Sequence, residues 1–514
     1  MFSKVKSCAV HGVDGRMIDV EADVNDGLPV FTMVGYLSSS VRESSERVRT
    51  ALKNSGFHLP PKRITINLSP ADMRKDGSGY DLAIATAVLL SLGVTAELPM
   101  EQTLVLGELS LDGSIKAIPG VLPMVICARE EGMTSCIVPK ENVQEAALVQ
   151  GISVIGVSSL KETMEYIQGI KEYENTNVEQ PAVDTSEYLY DIDFSDVVGQ
   201  ESIKRGMEIA AAGFHNVLLT GAAGAGKSML AKRLPTILPQ MSFEESLEVT
   251  KIYSVGGMLP SEGGLIHRRP FRAPHHTISE YALIGGGRVP TPGEVSFAHY
   301  GVLFLDELPE FSKPVLEVLR QPLEDRRIRI SRVQASYEFP ADFMFVAAMN
   351  PCPCGNYPDY RRCSCTEQQI RRYQSKVSGP LLDRIDIRME VKGVKQEVLF
   401  SKQKTESSKT IRARVEQARQ MQKERFAGTG LLFNSQLDGK NLEEYITLSE
   451  EGKRLVLQLF EEQELSVRGV HRVLKLARTI ADLAGSEEIE HAHLQEAAFY
   501  RNQDVFAKEV LHGN

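Results

Sequence analysis

A glycine-rich loop at residues 221–228 has the composition of a phosphate-binding site. It follows the apolar run 217–220 and precedes the helix-favouring segment 229–234, which is the strand, loop and helix order that a P-loop requires. Backbone N–H groups of such a loop surround phosphate oxygens, and the N-terminus of the following helix adds the positive end of its dipole. The lysine would reach the β- and γ-phosphates, and the serine hydroxyl would bind Mg²⁺. We therefore predict a nucleoside triphosphate site formed by Gly221, Ala222, Ala223, Gly224, Ala225, Gly226, Lys227 and Ser228.

Two later apolar runs end in side chains suited to hydrolysis. The run 301–305 ends in Asp306 and Glu307, and open α/β sheets place their ligands at the carboxyl ends of such buried strands. Asp306 would hold Mg²⁺ through water, while Glu307 would orient and deprotonate the attacking water. The run 343–349 ends in Asn350, whose amide is placed to contact the γ-phosphate or that water. An Asn-Pro pair also commonly opens a turn, so both interpretations of Asn350 stay open.

Four of the seven cysteines are crowded into one short segment. Two thiolate pairs joined by a short loop can close a tetrahedral site, which suits Zn²⁺. The alternative is four reduced thiols in an exposed loop, where they would be open to oxidation. Because a set of four cysteines leaves no open coordination position, we predict a structural rather than a catalytic metal. The ligands would be Cys352, Cys354, Cys363 and Cys365.

Composition limits the class of protein. The chain has 514 residues, enough for about three domains, and its apolar content of 42% and charged content of 25% are ordinary for a soluble protein. No apolar run approaches the roughly 20 residues that a membrane span needs, and the N-terminus lacks an apolar signal core. We therefore expect a cytoplasmic protein with no membrane partner. The net charge of −10 gives no global argument for nucleic-acid binding, so that prediction depends on local patches.

Basic residues are concentrated in two places. The segment 326–333 alternates arginine with apolar residues, which predicts a β-hairpin, and arginines and tyrosines are interleaved around the cysteines. Both patterns suit phosphate contact and base stacking. The alternatives are an edge strand made soluble by arginine and a solvated face or subunit contact. The glycine-rich segment 254–293 predicts mobile loops or a hairpin. The candidate DNA contacts are Arg288, Arg327, Arg329, Arg332, Arg361 and Arg362.

The first third of the chain mixes strand-like runs such as 63–68 with helical runs such as 81–92, and part of it resembles the Lon-protease-type α/β domain. Where that protease has its nucleophilic serine this chain has Gly79, and where it has its lysine base this chain has Leu122. Ser78 and Lys116 are near, but a shift of one residue moves a side chain to another face. We predict an inactive scaffold or docking domain, with a residual hydrolase as the alternative. The resemblance is carried by 74–82, 107–113 and 116–120.

The order of P-loop, acidic strand, asparagine strand and a later arginine makes the chain resemble an AAA+ ATPase. More narrowly, it resembles the magnesium-chelatase-like branch of the ComM/YifB type, over its whole length. The arginine is Arg384, for which an intramolecular ion pair with Asp383 or Asp386 is the simpler interpretation. The motifs that carry the resemblance are 271–277, 292–299, 350–355, 466–468 and 477–483.

The resemblance implies roles that the residues alone do not. Arg384 would act as a finger on the γ-phosphate of a neighbouring subunit, and Arg468 would be the sensor arginine of a helical lid, with Arg472 as runner-up. The cofactor would be ATP with Mg²⁺. The assembly would be a homo-oligomeric ring, expected to be a hexamer, with basic insertions lining its pore and contacting single-stranded or branched DNA without regard to sequence.

The function that the resemblance implies is ATP-driven DNA translocation, unwinding or branch migration, in recombination of incoming DNA during natural transformation. The alternative is a chelatase-like motor subunit that remodels a protein partner. An ATP-dependent protease is disfavoured by Gly79 and Leu122.

The predicted fold class is a multidomain α/β protein. It comprises an inactive Lon-protease-like α/β domain, a linker that is poor in large apolar residues, an AAA+ P-loop α/β/α core that contains the cysteine loop 352–365, and a C-terminal helical lid. Their predicted bounds are 1–168, 169–190, 191–398 and 399–514.

Overall fold

The structure is a computed structural model that describes residues 1–171, 190–260, 264–332, 335–393, 405–462 and 466–502. Most of the predicted linker 169–190 and the first residues of the predicted lid lie outside the described residues. Within the described ranges, no helix is both long and apolar enough to cross a membrane.

The N-terminal region is built on a seven-stranded mixed sheet in the order β3-β4-β2-β1-β5-β8-β9. The strands of this region are β1 (Phe2–His11), β2 (Asp14–Asn25), β3 (Phe31–Val34), β4 (Arg63–Ser69), β5 (Thr103–Val105), β6 (Glu108–Leu109), β7 (Ile115–Lys116), β8 (Ser135–Pro139) and β9 (Ser153–Val157). Of these, β6 and β7 lie outside the seven-stranded sheet. Its helices are α1 (Ser39–Asn54), α2 (Asp81–Ser91), α3 (Val121–Glu130), α4 (Val143–Ala146) and α5 (Leu160–Ile167). Helix α2 is almost entirely apolar and buried on nearly every side, so it lies in the core of this region.

The central region has a five-stranded parallel sheet in the order β11-β14-β17-β10-β18. The strands of the region are β10 (Val217–Thr220), β11 (Phe271–Arg272), β12 (Gly285–Gly286), β13 (Thr291–Pro292), β14 (Val302–Leu305), β15 (Arg327–Ser331), β16 (Ser336–Pro340), β17 (Met344–Met349) and β18 (Ile387–Glu390). Its helices are α6 (Glu201–Gly213), α7 (Lys227–Arg233), α8 (Phe243–Val255), α9 (Glu280–Ile284), α10 (Glu294–Phe297), α11 (Lys313–Val318), α12 (Pro322–Asp325), α13 (Glu367–Gln374) and α14 (Gly379–Leu382).

The three inner strands β10, β14 and β17 are continuous apolar runs that are buried throughout, as parallel strands covered on both faces must be. The hairpin predicted at 326–333 is present as the antiparallel pair β15–β16. The glycine-rich segment 254–293 contains the short hairpin β12–β13 together with β11 and α9, so it is more ordered than loops alone would be.

The C-terminal region is helical. Its helices are α15 (Ser408–Arg425), α16 (Gly439–Tyr445), α17 (Glu450–Glu462), α18 (Val467–Leu483) and α19 (His491–Asn502). These helices share one hydrophobic core with the central sheet, and the rings of Phe214 and Phe433 stack across the junction with centroids 4.4 Å apart. The helical region is therefore joined to the sheet by direct packing.

The N-terminal region packs against helix α8 of the central region. The Gly120 amide donates to the Ser254 carbonyl at 3.0 Å, and the Ser254 hydroxyl donates to the buried Glu145 carboxylate. Burial raises the pKa of Glu145, although its hydrogen-bond donors partly oppose that shift. A second contact is the stack of His11 on Tyr337 of β16, with ring centroids 4.5 Å apart. The N-terminal region thus contacts both α8 and the basic hairpin β15–β16.

Candidate nucleotide site and cysteine cluster

The glycine-rich loop joins β10 to α7, as the sequence predicts, and the structure explains why three of its positions are glycine. Gly224 and Gly226 adopt φ angles of 77° and 95°, a left-handed conformation that glycine reaches without strain. At Gly221 an added Cβ would lie 2.2 Å from the Val391 carbonyl oxygen, so the loop can pass β18 only without a side chain. The loop conformation therefore depends on glycine at three separate points.

The Lys227 ammonium is held inside this loop. Its Nζ donates to the carbonyl oxygens of Gly221 and Ala222 at 2.7 and 2.9 Å, and to Asn350 Oδ1 at 3.0 Å. Burial lowers the pKa of Lys227, and the nearby carboxylates of Asp306 and Glu307 counteract part of that shift. A polyphosphate at the loop would offer this ammonium stronger, charged acceptors than the carbonyls it now contacts.

The acidic strand end lies beside the start of α7. The Ser228 hydroxyl donates to Asp306 Oδ2 at 2.5 Å, and the Glu307 amide donates to Asp306 Oδ1 at 3.0 Å. A hydroxyl and a carboxylate oxygen are ligands that Mg²⁺ prefers, so this pair fits the metal that the sequence predicts. Glu307 itself has a left-handed backbone with φ of 53°, which is rare for a residue with a side chain and is often found at functional sites.

These groups surround one cavity of about 310 Å³. The strand order places the carboxyl ends of β10, β14 and β17 side by side, which brings three separate sequence segments to the same place. Of the predicted nucleotide-site residues, Gly221 and Ala222 lie at the base of the loop rather than in the lining. The cavity is lined by Ala223, Gly224, Ala225, Gly226, Lys227, Ser228, Met229, Asp306, Glu307, Met349 and Asn350.

Arg384, the predicted finger, is buried within the chain rather than presented to solvent. It is 7% exposed, pairs with the Glu324 carboxylate and donates to the Pro380 carbonyl at 2.6 Å. The sequence-based alternative of a partner at Asp383 or Asp386 is wrong, because α12 brings Glu324 against the guanidinium group. Arg384 does not line the cavity of its own chain, and its action on a neighbouring subunit stays a prediction.

The two sensor candidates on α18 differ in their surroundings. Arg468 is exposed, whereas Arg472 donates to Asp386 at 2.5 Å. Burial would raise the pKa of Asp386, but the charge of Arg472 and a hydrogen bond from His215 outweigh it and hold that pKa well below its usual range. Neither arginine lines the cavity among the described residues. Arg472 thus has a structural partner, and the role predicted for Arg468 stays a prediction.

The interpretation of the sequence gave no role to His276, which lies beside Glu307. Its Nδ1 is 3.7 Å from Glu307 Oε2. The signal available was the motif 271–277, which carries the family resemblance and begins with strand β11. The contact itself depends on how β11 packs beside β14, which the motif alone does not reveal.

The four clustered cysteines converge at a single point. Their Sγ atoms lie within 4.8 Å of one another, and three of the pairs are separated by 3.4, 3.6 and 3.7 Å. A tetrahedron with Zn–S bonds of about 2.3 Å has edges of about 3.8 Å, so the arrangement is compatible with zinc. The backbone amide of Tyr357 donates to Cys352 Sγ at 3.4 Å, which fixes the loop against one of the four sulfur atoms.

The cysteine cluster borders the nucleotide cavity. It begins two residues after Asn350, and a Cβ added at Gly355 would lie 3.3 Å from the Ala223 amide nitrogen and 3.9 Å from Asn350 Cγ. The Gln374 side chain of α13 donates to the Pro351 carbonyl at 2.9 Å and ties the loop to its next helix. A metal here would brace the backbone next to the P-loop rather than a remote protrusion.

The six arginines predicted to contact DNA differ in the partners that they have within the chain. Arg327 and Arg329 both pair with the single Glu338 carboxylate, at 2.8 and 3.0 Å, so the strand face carries less net charge than the sequence suggests. Arg332 donates to the Gly287 carbonyl at 3.0 Å and connects the two hairpins. The three others, Arg288, Arg361 and Arg362, are exposed like the first three, and Arg362 lies 3.7 Å from the Asp359 carboxylate.

The Lon-like positions of the N-terminal region do not form a serine–lysine pair. Ser78 donates to the Glu108 carboxylate, and the Lys116 side chain is exposed. At Gly79 an added Cβ would lie 3.1 Å from Ile118 Cδ1, and Leu122 is fully buried. In the described part of the chain no basic side chain is recorded within hydrogen-bond distance of the Ser78 hydroxyl.

Three family models match successive parts of the chain. The model described as magnesium chelatase, subunit ChlI, matches residues 193–399. The model described as subunit ChlI of Mg-chelatase matches residues 20–142, and the one for the ChlI C-terminal part matches residues 405–501. Together they span all three regions of the structure.

Several relatives match over almost the full chain. An uncharacterized protein of Mycobacterium tuberculosis is 43% identical over 93% of this chain and 94% of its own. The uncharacterized protein YifB of Escherichia coli is 41% identical over 98% and 97%, and competence protein ComM of Haemophilus influenzae is 40% identical over 97% of each. Lon protease 2 of Bacillus subtilis is 30% identical over only 32% of each chain, so the Lon-like similarity is partial. The chain therefore belongs to the magnesium-chelatase-like family, and within it to the ComM/YifB type.

Proposed function

We propose that this protein is an AAA+ ATPase that forms a ring and uses ATP hydrolysis to move DNA. The observation that carries the proposal is the cavity where Lys227, Ser228, Asp306, Glu307 and Asn350 meet. Phosphate binding, metal binding, water activation and γ-phosphate sensing each have a suitable side chain there. The family to which the chain belongs supports ATPase activity.

The topology of the central sheet supports the same assignment. Numbered by their order in the chain, its five strands are arranged 2-3-4-1-5, so β17 lies between the P-loop strand and the acidic strand. This insertion places Asn350 between the loop and the two carboxylates. In the proposed reaction, Lys227 and the loop amides bind the phosphates, Asp306 and Ser228 hold Mg²⁺, and Glu307 takes the proton of the attacking water.

In the proposed ring, Arg384 completes the site of a neighbouring subunit. The buried guanidinium has to leave Glu324 to do so, and the negative charge of a γ-phosphate is a stronger partner than a half-exposed carboxylate. Arg468 on the helical region would sense the nucleotide, since it is exposed and has freedom to reorient.

DNA is the proposed substrate because exposed arginines lie on insertions of the ATPase core. Arg288, Arg361 and Arg362 are exposed, and such groups bind phosphates without reading sequence. The similarity to a competence protein supports a role in recombining incoming DNA, in which branch migration or unwinding is the mechanical step. The cysteine cluster, with a structural zinc, would support the loop that carries Arg361 and Arg362.

The test is steady-state ATP turnover with and without single-stranded or forked DNA. We expect DNA to raise the turnover of the wild type several-fold, and Lys227→Ala to remain inactive under all conditions. Charge reversal at the exposed pair, Arg361→Glu with Arg362→Glu, is expected to remove the stimulation while leaving basal turnover. Turnover indifferent to every DNA, together with no DNA retention at low salt, would contradict the DNA part of the proposal.

A motor that remodels a protein partner is the second candidate. The pairing of Arg327 and Arg329 with Glu338 favours it, because a hairpin with balanced charge is less suited to a polyanion. Under this alternative ATP turnover would respond to a partner protein and not to DNA.

A further inference from the structure

His276 lies beside the carboxylate of Glu307. The Nδ1–Oε2 distance is 3.7 Å, and in the described ranges no other Lys, Arg or His side chain is recorded at ion-pair distance from that carboxylate. Glu307 lines the nucleotide cavity, whereas His276 does not. His276 is therefore placed to act through Glu307 rather than by lining the cavity.

The segment that carries His276 is anchored to the strand that carries Glu307. Strand β11 pairs in parallel with β14, with Arg272 opposite Leu303. The Arg272 guanidinium also makes two hydrogen bonds, of 2.6 and 2.7 Å, to the Glu294 carboxylate at the start of α10. These anchors fix the backbone four residues before His276, which limits how far its ring can move from Glu307.

The ring of His276 is held on two sides. It packs on the His275 ring with centroids 4.0 Å apart, and it meets Phe311 edge-on at 6.3 Å. The His275 ring is in turn fixed by Thr277, whose Oγ1 lies 2.9 Å from His275 Nδ1. The imidazole is therefore oriented by its neighbours while its Nδ1 edge faces the carboxylate.

The Glu307 carboxylate needs a neighbour to hold it in one orientation. The side chain of Glu307 is 57% exposed, and its backbone has the left-handed conformation, which is strained for a residue with a side chain. An exposed carboxylate samples several rotamers, of which few direct an oxygen at a water in the cavity. Holding a base in its reactive orientation is a recognised source of rate enhancement.

We propose that His276 is a positioning residue that holds the Glu307 carboxylate toward the cavity. The inference rests on the proposed ATPase function and adds the segment after β11 to the groups that control hydrolysis. A small rotation of either side chain converts the present 3.7 Å approach into a hydrogen bond from the imidazole N–H.

The test compares kcat and KM for ATP in the full-length wild type, His276→Ala, His276→Asn and the matched control His275→Ala. We expect His276→Ala to lower kcat about 10-fold while KM changes less than about 3-fold, because the phosphates are bound elsewhere. His276→Asn, whose amide N–H replaces Nδ1–H, should recover most of kcat. His275→Ala removes one support of the His276 ring but not its nitrogen, so it should lower kcat by about 3-fold at most, clearly less than His276→Ala. In a Glu307→Gln background His276→Ala should have no further effect.

The results that would overturn the role of His276 differ from those that would overturn the proposed function. If wild-type turnover depends on Glu307 but His276→Ala keeps full kcat, the inference fails and the proposed function stands. Equal losses in His275→Ala, or no recovery in His276→Asn, would also contradict it, because the loss would then be structural. Should the alanine variant unfold, His276→Phe keeps the stacked ring without its nitrogen and serves in its place. Turnover that is independent of Glu307 would overturn the proposed function itself.

Discussion

Two sheets in this chain present their strand ends very differently. The carboxyl ends of the central strands bring Lys227, Asp306, Glu307 and Asn350 around one cavity. In the N-terminal region, the positions that would correspond to a protease site hold a fully buried leucine and a glycine, and Ser78 is bonded to a carboxylate. Similar layers of helices and strands thus support a converged set of polar groups in one case and not in the other.

The fold supplies positions, while the chemistry depends on which side chains meet there. The N-terminal region uses the neighbourhood of Leu122 for packing instead. The Leu122 amide and the Ser254 hydroxyl both donate to the buried Glu145 carboxylate, which joins this region to α8. A surface that resembles a protease in sequence serves here as an internal interface.

Removing the ammonium from the P-loop should have the largest effect. Lys227→Ala is expected to weaken ATP binding at least about 100-fold, because charged hydrogen bonds to phosphate contribute up to about 3 kcal/mol. Equilibrium binding of a fluorescent ATP analogue measures this. Lys232→Ala, five residues further along α7, is the matched control and should bind like wild type, whereas equal affinity in both variants would place the phosphates elsewhere.

Disrupting the cysteine cluster should have the next largest effect. Cys354→Ser is expected to reduce bound zinc from about one ion per chain to near zero and to lower Tm by about 5 °C, since a bound metal stabilises the folded state. Elemental analysis and thermal unfolding measure the two effects. Cys127→Ser is the control with its zinc content unchanged, and a wild type without stoichiometric zinc would contradict the prediction.

Breaking the Arg472–Asp386 pair should have the third largest effect, and this effect should be on folding stability rather than on nucleotide sensing. Arg472→Ala is expected to destabilise the fold by about 2 kcal/mol, because it leaves a buried carboxylate without its main cation. Since folding lowers the pKa of Asp386, the pair stabilises the protein above the unfolded pKa of about 3.9, and this contribution is lost as pH falls below it. Denaturant unfolding at pH 7 and pH 3.5 tests the sign, and a deficit that grows on acidification would contradict it.

Changing the N-terminal serine should have the smallest effect. Ser78→Ala is expected to leave ATP turnover within about 2-fold of wild type, and neither protein should cleave a casein or peptide substrate, since Ser78 is bonded to a carboxylate and, among the described residues, no lysine is recorded within hydrogen-bond distance of its hydroxyl. Peptide cleavage that disappears in Ser78→Ala would turn the N-terminal region into a second active site and remove the contrast between the two sheets.

Local patterns predicted the parts of the site that depend on neighbouring residues. The P-loop, the acidic strand β14, the strand β17 and the hairpin β15–β16 all follow from short runs of composition and periodicity. Their convergence could be anticipated because parallel strands present their ends at one edge.

Contacts between distant segments could not be predicted in this way. Arg384 pairs with Glu324, 60 positions earlier in the chain, and not with its acidic neighbours. The approach of Gly355 to Ala223 and of His276 to Glu307 likewise depends on how separate elements pack. Side-chain partners of this kind are decided by tertiary packing, on which composition and spacing carry no information.

Whether this cavity hydrolyses ATP is tested most directly by measuring ATP binding and ATP turnover together in Glu307→Gln. The account predicts that the variant binds ATP about as tightly as wild type and loses turnover by at least about 100-fold, because the amide cannot accept the proton of the attacking water. Bound, unhydrolysed ATP should then be recovered from the protein. Turnover equal to that of wild type would contradict the claim that this cavity hydrolyses ATP.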